Sequence, residues 1–517
     1  MSAELCSLVL VTTPAALNPG TDPALDAVIE AFLATLGPGT LSEFALTSLD
    51  RSAVPVWASW WTGPGVATGG IGYGLTEQRA RVGALGECIE HVCAWRALQR
   101  TQRSAGSTEQ MRRRHGSDRV VDPRTLGLPA GVSYTDDRPL QWLPMRRLRD
   151  SAEVLVPAEF VASSAAELPG AGPVGGWLTV PVSNGLGAGS SLEQATAHAV
   201  MEILQRDGNG LRFRALDAGV VISLDGVTDP VTLQALLQLT AAGVHVLPKL
   251  ASTDFGLANV YVVGSAADDD ILSATACGEA VHPDRDVALQ KAVLEFANAR
   301  ARKQFMHGPL DQVLRVAPVD YAAVVASVDP ADDEPRVLAA MVDWLRLSPN
   351  SWRPLVEAAV LQHRQTVLFA DLPTVRPEAG PTLLSDLLGR LGAEGYNDVL
   401  VADFSPHRQD HGVHAVKVLI PGLEVETVAY GRIGERNAAR LLAVGRDDLV
   451  RTGHQPPGWS RIHLTDEAEQ RLGGPAWLDR HALDAVADGL LPLYREPGRH
   501  SAQKVLTGEV GVPRNGT

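Results

Sequence analysis

Residues 183–210 read SNGLGAGSSLEQATAHAVMEILQRDGNG. A glycine-rich turn runs into a stretch with helical spacing, and the far end of that stretch carries Glu202, Gln205 and Arg206 within about one turn. Leu192, Ala195, Ala199 and Ile203 recur at intervals of three and four, with Val200 and Leu204 beside them, while His198, Glu202, Gln205 and Asn209 form a second stripe. Ser190 followed by Glu193 reads as a capping box at the helix start. The pattern predicts a helix entered from a glycine turn, with its polar side chains gathered on one face.

The stretch has two echoes. GYGLTEQRA (72–80) resembles GAGSSLEQA (187–195), and both Gly74 to Glu87 and Gly189 to Glu202 span 13 residues. In the first copy Glu87, Glu90 and His91 face away from Ala84, Leu85, Cys88, Ile89 and Val92. A looser third copy starts at Gly278 and runs through His282, Pro283 and Asp284 to Glu295, Asn298 and Arg300. A lone Glu-x-x-Glu pair on a helix is usually a solvated face. Its repetition after a glycine turn points instead to one reused unit. Three such helices can bring carboxylate and amide oxygens together around Mg²⁺, which takes hard oxygen ligands and keeps phosphate oxygens among them. Arginines near the same ends can hold phosphate in bidentate fashion, and backbone N–H groups at the turns can approach anions.

The rest of the chain sets limits. It has 517 residues, 45% hydrophobic and 20% charged, enough for a large core. Strand-like segments (VVISL, VHVLPKL, NVYVVGSA, DVLVADF, AVKVLIP) alternate with amphipathic helices, so the expected fold is α+β, a mixed α/β arrangement. The expected organisation is an N-terminal strand–helix segment (1–64) that completes the core or docks a partner, a main domain (65–436) and a C-terminal extension (437–517). The opening MSAELCSLVLVTT reads as a strand rather than a signal peptide, and PVWASWW (55–61) as a second strand. Residues 101–120 are polar and basic and read as a surface loop; a helix is expected near 476–491. A net charge of −15 argues against nucleic acid and anionic membranes as partners, and no apolar run is long enough to span a bilayer. Four cysteines without a CxxC pair suit a reducing cytoplasm. There is no GxxxxGK[ST] phosphate loop, so a nucleotide site here is of another kind, and no Gly-x-Ser-x-Gly elbow. His407, His411 and His414 could ligate a metal, but Gly412 and the following strand break a helical zinc pattern. Arg432 and Arg436 are expected to form ion pairs at the surface.

Taken together, GYGLTEQRARVGALGECIEH (72–91), SNGLGAGSSLEQATAHAVMEILQRD (183–207), GEAVHPDRDVALQKAVLEFANARAR (278–302) and VKVLIPGLE (416–424) resemble the YcaO family over roughly Gly65 to Arg436. The resemblance implies an ATP-binding fold with a carboxylate-rich Mg²⁺ site. It implies an enzyme of ribosomal peptide natural-product biosynthesis that phosphorylates a backbone amide oxygen so that a nucleophile adds and phosphate leaves. Azoline heterocyclisation is the first expectation; thioamide and amidine formation are the alternatives. By position, Glu87, Glu90, Glu202, Gln205, Glu295 and Asn298 would hold metal, and Asn184, Arg206, Arg300, Tyr73 and His282 would contact nucleotide. The implied partners are a precursor peptide, a leader-binding or partner protein, and a second copy of the chain. The sequence also departs from the family. Tyr73 stands where a lysine is usual, Gly83 where a serine is, His91 where an arginine is, Gln205 where a glutamate is, and Asn298 where a glutamine is. The chain ends VGVPRNGT rather than in a Pro-x-Pro-x-Pro run. These departures imply a divergent subclass, or a non-catalytic member that binds a peptide or an active partner.

Overall fold

The computed structural model describes residues 22–170, 172–211, 214–375, 381–406 and 412–508. The expected opening strand, His407 and His411 lie outside them. Helix α1 (Pro23–Leu36) starts where Asp22 accepts the Ala24 N–H and Pro23 needs no donor, and stops at Gly37 with φ of 68°. Strands β1 (Thr40–Ala45), β2 (Val56–Gly63) and β3 (Val66–Tyr73) form an antiparallel meander that ends in the long helix α2 (Glu77–Arg100). Residues 22–63 are therefore built into the core: Ile29, Phe32 and Trp61 pack with Leu85, Ile89 and Val92 of α2.

Strands β4 (Ser104–Ser107), β5 (Pro139–Arg147) and β6 (Glu153–Pro157) lead to β7 (Leu186–Gly189) and helix α3 (Leu192–Asn209). Next come β8 (Val220–Ser223), β9 (His245–Ser252), β10 (Ala258–Ser265), β11 (Gly278–His282) and helix α4 (Arg285–His307). The chain continues through β12 (Gln365–Leu368), β13 (Leu400–Asp403) and β14 (His414–Leu419). One sheet has the order β4-β5-β13-β14-β7 with β6 on β5; another is β11-β10-β9-β8-β12, whose β8–β12 pair is parallel. The mixed fold is as expected. A small sheet of β15 (Val450–Thr452), β16 (Ser460–Arg461) and β17 (Ala476–Leu478) follows, in the order β15-β17-β16.

Three local expectations are corrected. Residues 104–115 are a strand and a helix, because Ser107 and Gln110 close a capping box onto each other's backbone. Ala476–Leu478 is the central strand of the small sheet, and the helix begins only at Arg480. The cap of α3 is Ser191, which accepts the Gln194 N–H, while Ser190 bonds the Gln194 side chain instead.

The glycines before the three long helices also act differently from turn residues. A Cβ on Gly72 would lie 2.1 Å from the Ala80 oxygen, one on Gly187 2.4 Å from the Ala195 oxygen, and one on Gly278 2.2 Å from the Ala292 oxygen. Each glycine sits in a strand pressed against the helix that follows it, too close for a Cβ at that spacing. Each helix turns one face to a core: α2 to Trp142 and Leu143, α3 to Val416 and Val418, α4 to Val260 and Val262. Burying a side chain such as Phe296 contributes about 1.5–3 kcal/mol, so these faces fix how the helices are turned. Their opposite faces are left to one shared space.

Candidate active site

That space is a cavity of about 930 Å³, lined by α2, α3 and α4 together with β3, β7 and β11. Those three strands are the edge strands of their sheets, so each has backbone N–H groups free of strand partners on one side. The helix carboxylates take them up. Glu87 Oε2 accepts the Ile71 N–H at 2.8 Å, and Glu202 Oε2 accepts the Gly185 N–H at 3.1 Å. The Glu279 backbone on β11 favours the charged form of Glu295.

Further bonds join one unit to the next. Glu90 Oε1 accepts the Ala188 N–H of β7 at 2.9 Å, and the Tyr73 hydroxyl of β3 lies 3.5 Å from Glu295 Oε2. Glu279 Oε2 of β11 accepts from Asn209 Nδ2 at 2.7 Å and more loosely from Gln205 Nε2 at 3.5 Å. The three strand–helix units thus close a ring around the cavity.

The register is the same in all three. Gly70, Gly185 and Gly278 each stand seventeen residues before Glu87, Glu202 and Glu295, and the helix caps Thr76, Ser191 and Asp284 each stand eleven before. Ala80 and Ala84, Ala195 and Ala199, and Ala288 and Ala292 fill the same buried positions between cap and carboxylate.

Like charges gathered in one cavity repel. Burial, then the charges of Glu202 and Glu87, push the Glu90 carboxyl well above the usual carboxylate range. Burial also raises Glu202, against the pull of Arg206 and Lys417. Burial and the neighbouring Glu279 lift Glu295 to about 7. The cations answer in kind: burial lowers Lys291, and brings Lys417 down to about 8. Burial, with Lys291 nearby, lowers the His198 imidazole to about 4. Arg206 stands 3.9 Å from Glu202 and 3.6 Å from Glu279, and Arg214 3.7 Å from Glu279. These distances exceed those of charge-assisted hydrogen bonds. A second lobe of about 470 Å³ opens beyond Glu202, Arg206, Arg214 and Glu279, with Asn184, Glu426, Tyr430 and Tyr494 on its walls.

Tyr73, Glu87, Glu90, His91, Glu202, Gln205, Arg206, Glu295 and Asn298 therefore meet in one cavity, and Asn184 reaches the adjoining lobe. Arg300 does not take the phosphate-facing position expected of it. Its guanidinium is fully buried between Asp50 at 3.0 Å and Asp269 at 2.8 Å. His282 does not line the cavity either, because its Nδ1 accepts the Asp284 N–H at 3.0 Å. Arg432 is buried on the carbonyls of Leu126 and Gly127, and Arg436 pairs with Asp207 and Asp254. Sequence reasoning missed Lys291, Arg302, Glu279 and Arg499, all of which line the cavity. Lys291 and Arg302 lie four before and seven after Glu295, on its own helix face, a signal that was legible.

A mixed α+β fold whose strand–helix units surround one carboxylate-rich, arginine-bearing cavity defines a protein class that handles charged ligands without a phosphate loop. The chain belongs to the YcaO family, described as YcaO cyclodehydratase, ATP- and Mg²⁺-binding, whose model matches residues 71–424, more than half of its length. An uncharacterised protein of Methanothermobacter thermautotrophicus is 26% identical over 414 residues, covering 78% of this chain and 94% of that protein. The structure of YcaO from Methanopyrus kandleri bound with AMPPCP and Mg²⁺ is similar in fold, with a TM-score of 0.54 at 19% identity, covering 80% of this chain and 93% of that one. A heterocyclase in complex with substrate and cofactor has a TM-score of 0.58 at 16% identity, covering 81% of this chain and 55% of that one. No helix among the described residues is long and apolar enough to cross a membrane.

Proposed function

We propose that the chain binds Mg·ATP in this cavity and phosphorylates the oxygen of a peptide backbone amide, preparing its carbon for a nucleophile. The observation that carries the reading is the ring itself: glutamates from three helices facing one space with Arg206, Glu87 held on β3 and Glu90 on β7. The donor set fits Mg²⁺. The side-chain oxygen of Asn298 is buried at the cavity with no donor among the described residues. The carboxylates ring the space rather than meeting at a point; no group of three His, Cys, Asp or Glu among the described residues converges closely enough to hold an ion alone. That arrangement suits an ion whose shell is completed by phosphate oxygens and water.

Glu87, Glu90, Glu202, Gln205, Glu295 and Asn298 would hold the metal, and Arg206 with Lys291 would face the phosphates. Bound Mg·ATP supplies the transferable phosphoryl group and the positive charge that offsets its oxygens. The residues position it: Glu202 and Glu279 draw Arg206 to the wall shared by both lobes. Heterocyclisation to an azoline is the first product class, with thioamide or amidine formation as alternatives. A ribosomally made precursor peptide is the acceptor. A leader-binding protein, a second copy of the chain and a cytoplasmic setting belong to the same reading.

The test is peptide-dependent phosphate release by the full chain, beside a calorimetric titration with Mg·AMPPCP. Nucleotide binding with release only in the presence of peptide supports the reading; no nucleotide binding sinks it. A second reading, a non-catalytic member that binds peptide or an active enzyme, is favoured by Tyr73, which lies against Glu295 where the family's lysine is usual, and by Gln205, whose amide leans on Glu279. It predicts no nucleotide binding at all.

Protons compete with the metal at Glu295. Its raised value keeps it protonated below about 7 and ionised above, and a ligating carboxylate must be ionised. Mg·AMPPCP affinity should therefore rise from about pH 6 to about pH 8, by up to about tenfold per unit below the pKa for one displaced proton. Glu295→Gln should show a flatter profile; equal slopes in the two proteins would remove Glu295 from the metal set.

A further inference from the structure

Arg499 belongs to the C-terminal extension, yet its side chain lines the main cavity. Its guanidinium lies 3.6 Å from the centre of the Trp60 ring, with Tyr321 at 5.4 Å and Phe305 at 5.7 Å. It forms no ion pair among the described residues, and its Nε is buried without an acceptor. The other cavity arginines differ: Arg206 and Arg214 approach Glu279, and Arg302 is clamped by Glu496 at 2.8 and 3.0 Å. Aromatic faces attract a cation but do not neutralise it. Arg499 is half-buried, so its charge meets aromatic rings and the cavity rather than a carboxylate.

The backbone holds it there. Glu496 bonds Arg302 and His307, and Gly498 donates to Asp333. The His500 N–H donates to the Met306 carbonyl at 2.8 Å, and the His500 ring meets the Tyr321 hydroxyl at 3.0 Å. His500 itself has φ of 68°, a left-handed conformation that a side chain disfavours. The chain is pinned on both sides of Arg499 and turned so that the cation enters the cavity.

We propose that Arg499 anchors an anionic oxygen group of the ligand in this cavity, either a phosphate of the nucleotide or a carboxylate of the acceptor peptide. The proposal rests on the reading that this cavity is the ligand site. The full-length wild type, Arg499→Met and Arg499→Lys are melted in chloride, in inorganic phosphate and in N-acetylglycine at matched ionic strength, and titrated calorimetrically with Mg·AMPPCP. Phosphate or N-acetylglycine should raise the wild-type melting temperature above that in chloride. Arg499→Met should lose more than half of that increment, and Arg499→Lys should keep it. Weaker Mg·AMPPCP binding by Arg499→Met marks the nucleotide phosphate as the source; unchanged binding with loss of the N-acetylglycine increment marks the carboxylate. A wild type that neither anion stabilises, or Arg499→Met increments within twofold of wild type for both, overturns the proposal. Absence of Mg·AMPPCP binding by the wild type, with Arg499-dependent anion increments intact, would instead reject the nucleotide reading alone.

Discussion

Glu202→Gln should lower Mg²⁺-dependent, peptide-stimulated phosphate release by at least about 100-fold, the scale set by losing one preorganised electrostatic contact in an active site. The substitution keeps the shape and keeps an oxygen for the Gly185 N–H, which Glu202 Oε2 now accepts at 3.1 Å. What it removes is charge. Glu202 stands between Arg206 at 3.9 Å and Lys417, whose ammonium its charge supports against burial. Without it, Lys417 loses the charge that opposes its burial, and Arg206 loses one of its two carboxylate neighbours. Melting should change little, whereas calorimetric Mg·AMPPCP affinity should fall with turnover. Turnover within threefold of wild type would place the metal elsewhere in the ring.

Much of this ring is legible in the order of residues alone. Glutamates repeated after glycines mark the helices, and the i, i+3 spacing marks the faces that meet. The third copy looks loose only when Gly278 is set against Gly72 and Gly187; its true counterparts are Gly70 and Gly185. Ala280 then takes the place of Gly72, and its methyl group still fits. Arg300 shows the opposite error. Five residues on from Glu295 is about 140° around a helix, so Arg300 points away from the cavity that Glu295 faces. Family position suggests phosphate, while helix geometry excludes it. Arg499 and Glu496 have no local signal at all. Their roles come from where the C-terminal extension packs, a tertiary fact that no periodicity encodes.

Arg300→Met should destabilise the protein by about 3–5 kcal/mol, the range for breaking a buried ion pair from one side. The guanidinium is fully buried, and its partners Asp50 and Asp269 are 3% and 1% exposed. Some of their oxygens have other donors: Ser52 N–H on Asp50 and Ala266 N–H on Asp269. These bonds, and Arg51 at 4.0 Å from Asp269, offset the two buried charges only in part, so the loss should be read in denaturant midpoint and soluble yield. Arg300→Met combined with Asp269→Asn should recover part of it by removing one charge. The protein that does fold should bind Mg·AMPPCP within about twofold of wild type, because Arg300 does not line the cavity. Arg206→Met should do the reverse. Its side chain is 42% exposed and its pairs with Glu202 and Glu279 are long, so stability should change less than in Arg300→Met while affinity falls. If Arg300→Met instead weakened nucleotide binding at unchanged stability, Arg300 would have to leave Asp50 and Asp269 when ligand arrives, and α4 would have to turn to let it.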